Sequence, residues 1–266
     1  MSSTDTAKGT ALVTGASSGI GAVYADRLAR RGHDLILVAR DTAKLTVLAD
    51  RIRSTTGRSV ELLPADLTKK DDLLRVEQRL QSDAHIDLLV NNAGVGATAP
   101  LVDSSVDSLD SMIQLNVTAL TRLTRAVAPG MVARGKGAVI NIASIVALAP
   151  ERLNGTYGGS KAFVLAFTQS LHHELAPKGI QVQAVLPGAT STDFWSIAGL
   201  PVSHLPSEIV MSADDMVDAS LVGFDRKELV TIPALPDAED WERFDAARKA
   251  LGPNLSHANA AARYKA

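Results

Sequence analysis

Short apolar runs alternate with longer segments of helical period along most of the chain. Ala11-Leu12-Val13 is apolar and stops at Thr14-Gly15, after which Ile20, Val23, Tyr24 and Leu28 recur at helical spacing. Leu35-Ile36-Leu37-Val38 predicts a buried strand, 41–56 a helix, Val60-Glu61-Leu62-Leu63 a third strand and 69–81 a third helix. The pattern then predicts strands at 86–90, 138–142, 180–186 and 228–232. Between and after them it predicts helices at 108–133, 156–176, 214–223 and 238–251. Continuous apolar strands alternating with helices imply a parallel sheet covered on both faces, with right-handed crossovers.

No repeat, low-complexity stretch or linker divides the 266 residues, so one α/β domain over 1–266 is expected. Residues 191–212 have weak periodicity, with Gly199, Pro201 and Pro206 spaced through them, and read as a mobile insertion on the substrate side of the sheet. The tail at 253–266 is polar and Ala-rich and is expected to be flexible. A net charge of -2 argues against a general nucleic-acid binder, which needs a basic surface. The chain has no Cys, which removes disulfides, thiolate catalysis and Cys-ligated metals. The start, 1–9, lacks the basic and apolar segments of a signal peptide, and no apolar run approaches the roughly 18 residues that span a bilayer. No membrane contact and a cytoplasmic location are therefore expected.

Gly15, Gly19 and Gly21 lie between the first strand and the first helix. Glycine permits the sharp turn and lets bare backbone approach a pyrophosphate, and the helix start offers free N–H groups and a positive dipole end. A nucleotide is the expected ligand. In such folds the end of the second strand meets the adenosine ribose, where a carboxylate would accept from the 2′-hydroxyl and repel a 2′-phosphate. This chain has Val38-Ala39-Arg40 there. Arg40 either receives a 2′-phosphate or is a solvated residue at a helix start beside Asp41. NADP(H) is the preferred cofactor on this reading, with NAD(H) as the alternative.

Thr14-Gly-Ala-Ser-Ser-Gly-Ile-Gly21 resembles the cofactor signature of the short-chain dehydrogenase/reductase superfamily. Asp66-Leu67, Asn91-Asn92-Ala93-Gly94 and Pro187-Gly188 follow the third, fourth and sixth strands in that family's order, with Thr192 beyond. The resemblance runs over 10–192. It implies a single-domain Rossmann-type, doubly wound parallel sheet of about seven strands. It implies cofactor contacts from Gly15, Ser17, Ser18, Gly19, Ile20, Gly21, Arg40, Asp66, Leu67, Asn92, Ala93, Gly94, Tyr157, Lys161, Pro187, Gly188 and Thr192. Ala39 stands where the family's NAD-selecting Asp would be, and Ser18 where some NADP-preferring relatives place a second basic residue.

Tyr157 and Lys161 are four apart at a helix start and share a face. A phenol of pKa about 10 exchanges protons poorly near neutrality, and a nearby ammonium would bring it down. The resemblance makes Tyr157 the general acid/base and Lys161 the group that tunes it and holds the nicotinamide ribose. Ser144 then binds the substrate oxygen with Tyr157, and Asn116 supports a water-linked proton path to the lysine. Asn116 is otherwise a polar residue in a helix interior, a position that disfavours Asn.

The implied activity is hydride transfer between NADP(H) and a ketone, aldehyde or alcohol, with no metal. The alternative is a non-catalytic NADP(H)-binding sensor, which the complete Asn116, Ser144, Tyr157 and Lys161 set argues against. The partners implied are a small carbonyl or alcohol and a second copy of the chain, as a dimer or tetramer. His172 and His173, adjacent on a helix, face different ways and are expected at a surface or interface. Trp195 either lines the substrate pocket or anchors the lid, and Trp241 and Phe244 are expected to pack. Leu229-Val230-Thr231-Ile232-Pro233 departs from the Gly-Gly ending of many acyl-carrier-protein ketoreductase relatives, and a neutral or apolar carbonyl is the expected substrate.

Overall fold

The parallel sheet is built by strands that point alternate residues into two separate cores. In β1 (Thr10–Thr14), Ala11 and Val13 face one core and Leu12 the other; in β2 (Asp34–Ala39), Leu35 and Leu37 oppose Ile36 and Val38. β3 (Val60–Pro64), β4 (Ile86–Asn91), β5 (Gly137–Ile142) and β6 (Ile180–Val185) complete the body of the sheet, with the two-residue β9 (Val230–Thr231) at its edge. All pairs are parallel, in the order β3-β2-β1-β4-β5-β6-β9. The order reverses between β1 and β4, which opens a crevice at the C-terminal strand ends. The last strand, expected over 228–232, is shorter: Val230 and Thr231 are in register with β6, and Leu229 O accepts from Ala184 N at 2.8 Å.

This computed structural model describes residues 8–265. Most of the segment read for a leader signal therefore lies outside the described residues. Helices α1 (Gly19–Arg30), α2 (Thr42–Thr56), α3 (Lys70–Ser82), α5 (Leu120–Arg134), α6 (Gly155–Leu175) and α8 (Ala213–Asp225) cover the sheet. The helix expected over 108–133 is composite: α4 (Val106–Ile113), a π-helical turn (Gln114–Ala119), then α5. Among the described residues no helix is long and apolar enough to cross a membrane.

The chain divides into two compact units at Pro233/Ala234. The first unit holds the whole sheet, and the second holds the C-terminal helix and tail. Helix α9 (Ala238–Ala250) lies in the second unit and has no buried residue. Trp241 and Phe244 pair with each other at 5.6 Å, although Phe244 is 49% exposed. The tail beyond α9 is exposed and contains two short 3-10 turns, Gly252–Asn254 and Ala262–Tyr264. The insertion at 191–212 is bounded by β7 (Thr190–Ser191) and β8 (Met211–Ser212), which pair in parallel and hold its ends side by side. Between them lie the short helix α7 (Phe194–Ile197) and two 3-10 turns.

A buried amide ladder docks α6 on the sheet. Asn91 Nδ2 donates to Asn141 Oδ1 at 2.9 Å and to Thr124 Oγ1 at 3.0 Å, and Asn141 Nδ2 donates to Thr168 Oγ1 at 2.9 Å. Thr168→Val keeps the volume but leaves the Asn141 amide without an acceptor. Urea denaturation is expected to show a loss of about 1–3 kcal/mol, and an unchanged midpoint would contradict a stabilising ladder.

Candidate active site

The two turns that open the crevice are knit by the Thr14 hydroxyl. It donates to Val90 O at 3.2 Å and accepts from Asn92 N and Ala93 N at 3.0 Å each, while Asn92 Nδ2 reaches Thr14 O at 2.9 Å. Gly15 has φ 64°, and a Cβ on it would lie 2.8 Å from Asn92 Nδ2. A Cβ on Gly21 would collide with the Gly15 carbonyl. The bare faces of these two glycines are thus needed for protein packing, not only for approach of a ligand. Gly19 instead faces the Thr192 side chain. Ser18 caps α1 without a side-chain hydrogen bond, so the first-turn N–H groups keep their capacity for an anion.

The expected cofactor residues fall on one edge of the sheet. Asp66, Arg40, Gly15, Asn92, Ser144 and Pro187 follow six strands that are neighbours in the order β3-β2-β1-β4-β5-β6. At about 4.8 Å per strand they span roughly 24 Å, a row suited to an extended ligand. Ser17, Ser18, Ile20, Ala93, Gly94 and Gly188 are half-buried along it. Arg40 is exposed and makes no ion pair among the described residues. Burial works to raise the Asp66 carboxyl, but hydrogen bonds from the Thr68 hydroxyl and N–H, with the Arg40 charge, hold it below its ordinary value. Leu67 points into the core, as Ile20 partly does, so these two offer a ligand mainly backbone. Pro187 is buried and accepts from Ile145 N at 3.0 Å. A dinucleotide therefore fits what is present: a helix start with free donors, glycine at the crevice, and an unpaired guanidinium at the ribose end.

At the other end of the row α6 delivers Tyr157 and Lys161. Asn154 fixes its start: Oδ1 accepts from Thr156 N at 2.9 Å and Tyr157 N at 3.4 Å, and Nδ2 donates to Ala99 O at 2.7 Å. Ser144 lies two residues beyond β5, where its hydroxyl accepts from Val146 N at 3.3 Å and lies near enough to the Tyr157 hydroxyl to lower its pKa. Lys161 is buried, donates to Ile142 O at 2.9 Å, and has its Nζ 5.9 Å from the Tyr157 ring centroid. No carboxylate pairs with it among the described residues.

Burial drives both groups toward neutrality. It raises the Tyr157 hydroxyl to about 12, against a lowering hydrogen bond with Ser144, and lowers the Lys161 amine from 10.5 to about 8. The lowering of Tyr157 expected from a neighbouring ammonium is therefore not what the structure has. Desolvation is the largest cause for both groups, and an amine at about 8 still carries its proton at neutral pH.

Asn116 lies in the π-helical turn, where one extra residue re-aims the chain. Its Oδ1 accepts from Val95 N at 3.0 Å, and its Nδ2 donates to Val95 O at 2.8 Å and Ser160 Oγ at 3.0 Å. These bonds clamp the 94–97 loop to α6. They hold the Asn116 side chain between the loop and the helix. Trp195 anchors the insertion, buried with Nε1 donating to Thr190 O at 3.0 Å. His172 and His173 sit at the surface with rings 6.0 Å apart. The sequence reading missed Thr14, Asn154 and Phe194. A buried Thr beside a glycine turn, an Asn at a helix start and a lid aromatic are weak signals until their partners are known.

Fold and site together define a nucleotide-binding α/β protein with a tyrosine and a lysine at the crevice. A family profile described as short chain dehydrogenase matches residues 9–198, and the chain belongs to that family. It is similar to a short-chain dehydrogenase from Sphingobium yanoikuyae solved in complex with NADPH. The two are 53% identical over 97% of this chain and 100% of that one, with a TM-score of 0.94. It is also similar to the bulky-bulky ketone specific alcohol dehydrogenase from Comamonas testosteroni, at 49% identity over 98% and 100% of the two chains and a TM-score of 0.91. Among curated relatives, 17-beta-hydroxysteroid dehydrogenase type 3 from Homo sapiens is 37% identical over 79% of this chain. The match covers 66% of that protein's length, just short of two thirds.

The buried amine makes stability depend on pH in a known direction. Between about 8 and 10.5 the unfolded chain holds a proton on Lys161 that the folded chain lacks, so folding stability rises with pH through that window. Denaturation midpoints are expected to rise more steeply there in the wild type than in Lys161→Met. Parallel pH profiles would contradict the assignment.

Proposed function

We propose that the chain is an NADP(H)-dependent oxidoreductase that interconverts a neutral, apolar ketone and its secondary alcohol. The observation behind this reading is that Tyr157, Ser144 and Lys161 meet toward one end of a strand-end row that carries an unpaired Arg40 toward the other. The NADPH complex of the Sphingobium relative supports the cofactor, and the Comamonas relative's name supports a ketone with two sizeable groups.

Gly15, Ser17, Ser18, Gly19 and the start of α1 would hold the pyrophosphate, Arg40 the 2′-phosphate, and Asp66, Asn92 and Ala93 the adenosine side. Lys161, Gly94, Pro187, Gly188 and Thr192 would border the nicotinamide half. The bound cofactor supplies or accepts the hydride. Ser144 and Tyr157 donate hydrogen bonds to the substrate oxygen, and Tyr157 hands it a proton as charge develops there. A phenol raised to about 12 is in its proton-donating form at neutral pH, which suits reduction. Oxidation requires the phenolate. A positive charge retained on Lys161 favours that form, and Asn116 keeps the loop and helix around it in place.

The exposed face of α6 supports a homo-oligomer, dimer or tetramer. Phe163 is 37% exposed there and stacks on Phe167 at 5.5 Å. The Cys-free composition supports a cytoplasmic location. Sedimentation is expected to give a multiple of 28.0 kDa, and a monomer at micromolar concentration would contradict the assembly.

Tyr157→Phe is expected to lose about 10²–10⁴-fold in turnover while still being stabilised by NADPH in thermal unfolding. Arg40→Ala is expected to lose the advantage of NADPH over NADH in the same two assays. Substantial turnover in Tyr157→Phe, or an unchanged cofactor preference in Arg40→Ala, would overturn the corresponding role.

A further inference from the structure

Tyr157 and Ser144 are only 5% and 8% exposed, so the hydroxyls that would grip a carbonyl oxygen are covered. Part of the cover is the ring of Phe194, on α7. Its centroid is 5.8 Å from that of Tyr157, at 44° between planes, and it packs in one apolar cluster with Met112, Val146, Val95, Ala97 and Leu153. The ring is seated on Gly96: a Cβ there would collide with Cζ of Phe194 and lie 2.9 Å from Cε2. The flanking residues are tied down. Trp195 Nε1 holds Thr190 O at 3.0 Å, and Ala198 O accepts from Thr98 Oγ1 at 2.8 Å and from Thr98 N at 3.2 Å. The Phe194 ring is held by apolar packing and has no hydrogen bond to break on turning.

We propose that Phe194 is the size-selecting residue of the site. Its ring holds the place of the larger substituent of a ketone and gives way to it, and Gly96 is the notch that lets the ring seat over Tyr157. The space it vacates is walled by the apolar side chains just named, so the substituent received there is uncharged and apolar, an aryl or branched alkyl group. This inference rests on the carbonyl-reduction reading above.

Phe194→Ala, Gly96→Ala and the double variant are compared with the wild type on butanone and on an aryl alkyl ketone, with saturating NADPH. Phe194→Ala is expected to shift the ratio of kcat/KM toward the aryl ketone by about tenfold or more. Gly96→Ala is expected to shift the ratio in the wild type and to have no effect in the Phe194→Ala background, because contacting residues act non-additively. An unchanged ratio in a Phe194→Ala protein that still reduces ketones overturns the proposal and leaves carbonyl reduction standing. Failure of the wild type to reduce any ketone overturns carbonyl reduction itself, and a binding measurement then decides the role of the ring. Phe194 lies edge-on to Trp195 at 5.7 Å, and the remaining indole is removed by Trp241→Phe. In that protein, with Tyr157→Phe to block turnover, the aryl ketone is expected to change Trp195 emission and butanone to leave it unchanged. No response to the aryl ketone overturns the gate.

Discussion

A lysine amine sealed between β5 and α6, with a backbone carbonyl as its hydrogen-bond acceptor, is the constraint on which the site depends. Taking an ammonium out of water is costly without a counter-charge, so the surrounding structure must hold it there. That structure is specific. The Asn91–Asn141–Thr168 ladder presses α6 onto the sheet, Asn154 fixes the first turn at Tyr157, and Asn116 ties the same helix to the 94–97 loop. Each of these buried amides finds partners on a different element, so the helix has little freedom to tilt and take the lysine back to solvent.

The same economy of position governs the cofactor end. Two cores, one on each face of the sheet, leave the strand ends as the place where side chains and turns are not already committed to packing. Thr14 links the turn after β1 to the turn after β4 across the point where strand order reverses. These protein contacts hold the two turns together, a preorganisation that lowers the cost of binding an extended ligand.

Much of this was legible in the sequence. Apolar strands such as Leu35-Ile36-Leu37-Val38 announce burial on both faces, and the glycine turn, Tyr157 with Lys161, and Arg40 were each readable from residue type and place. Three features were not. The π-helical turn around Asn116 leaves a helical period nearly intact and shows only in its hydrogen bonds. The shift of Tyr157 upward depends on how completely two groups are desolvated, which spacing does not encode. The division into two compact units at Pro233/Ala234 has no linker composition to announce it. Trp241 and Phe244, expected to pack, lie ring against ring at 5.6 Å.

The most direct test follows the hydride itself. NADPH deuterated at the transferable position of its nicotinamide is incubated with the protein and an aryl alkyl ketone, and the product is examined by mass spectrometry. The account predicts a secondary alcohol with deuterium on the former carbonyl carbon, formed as NADPH is consumed. NADPH that binds but is never consumed, or an alcohol without deuterium, would contradict it.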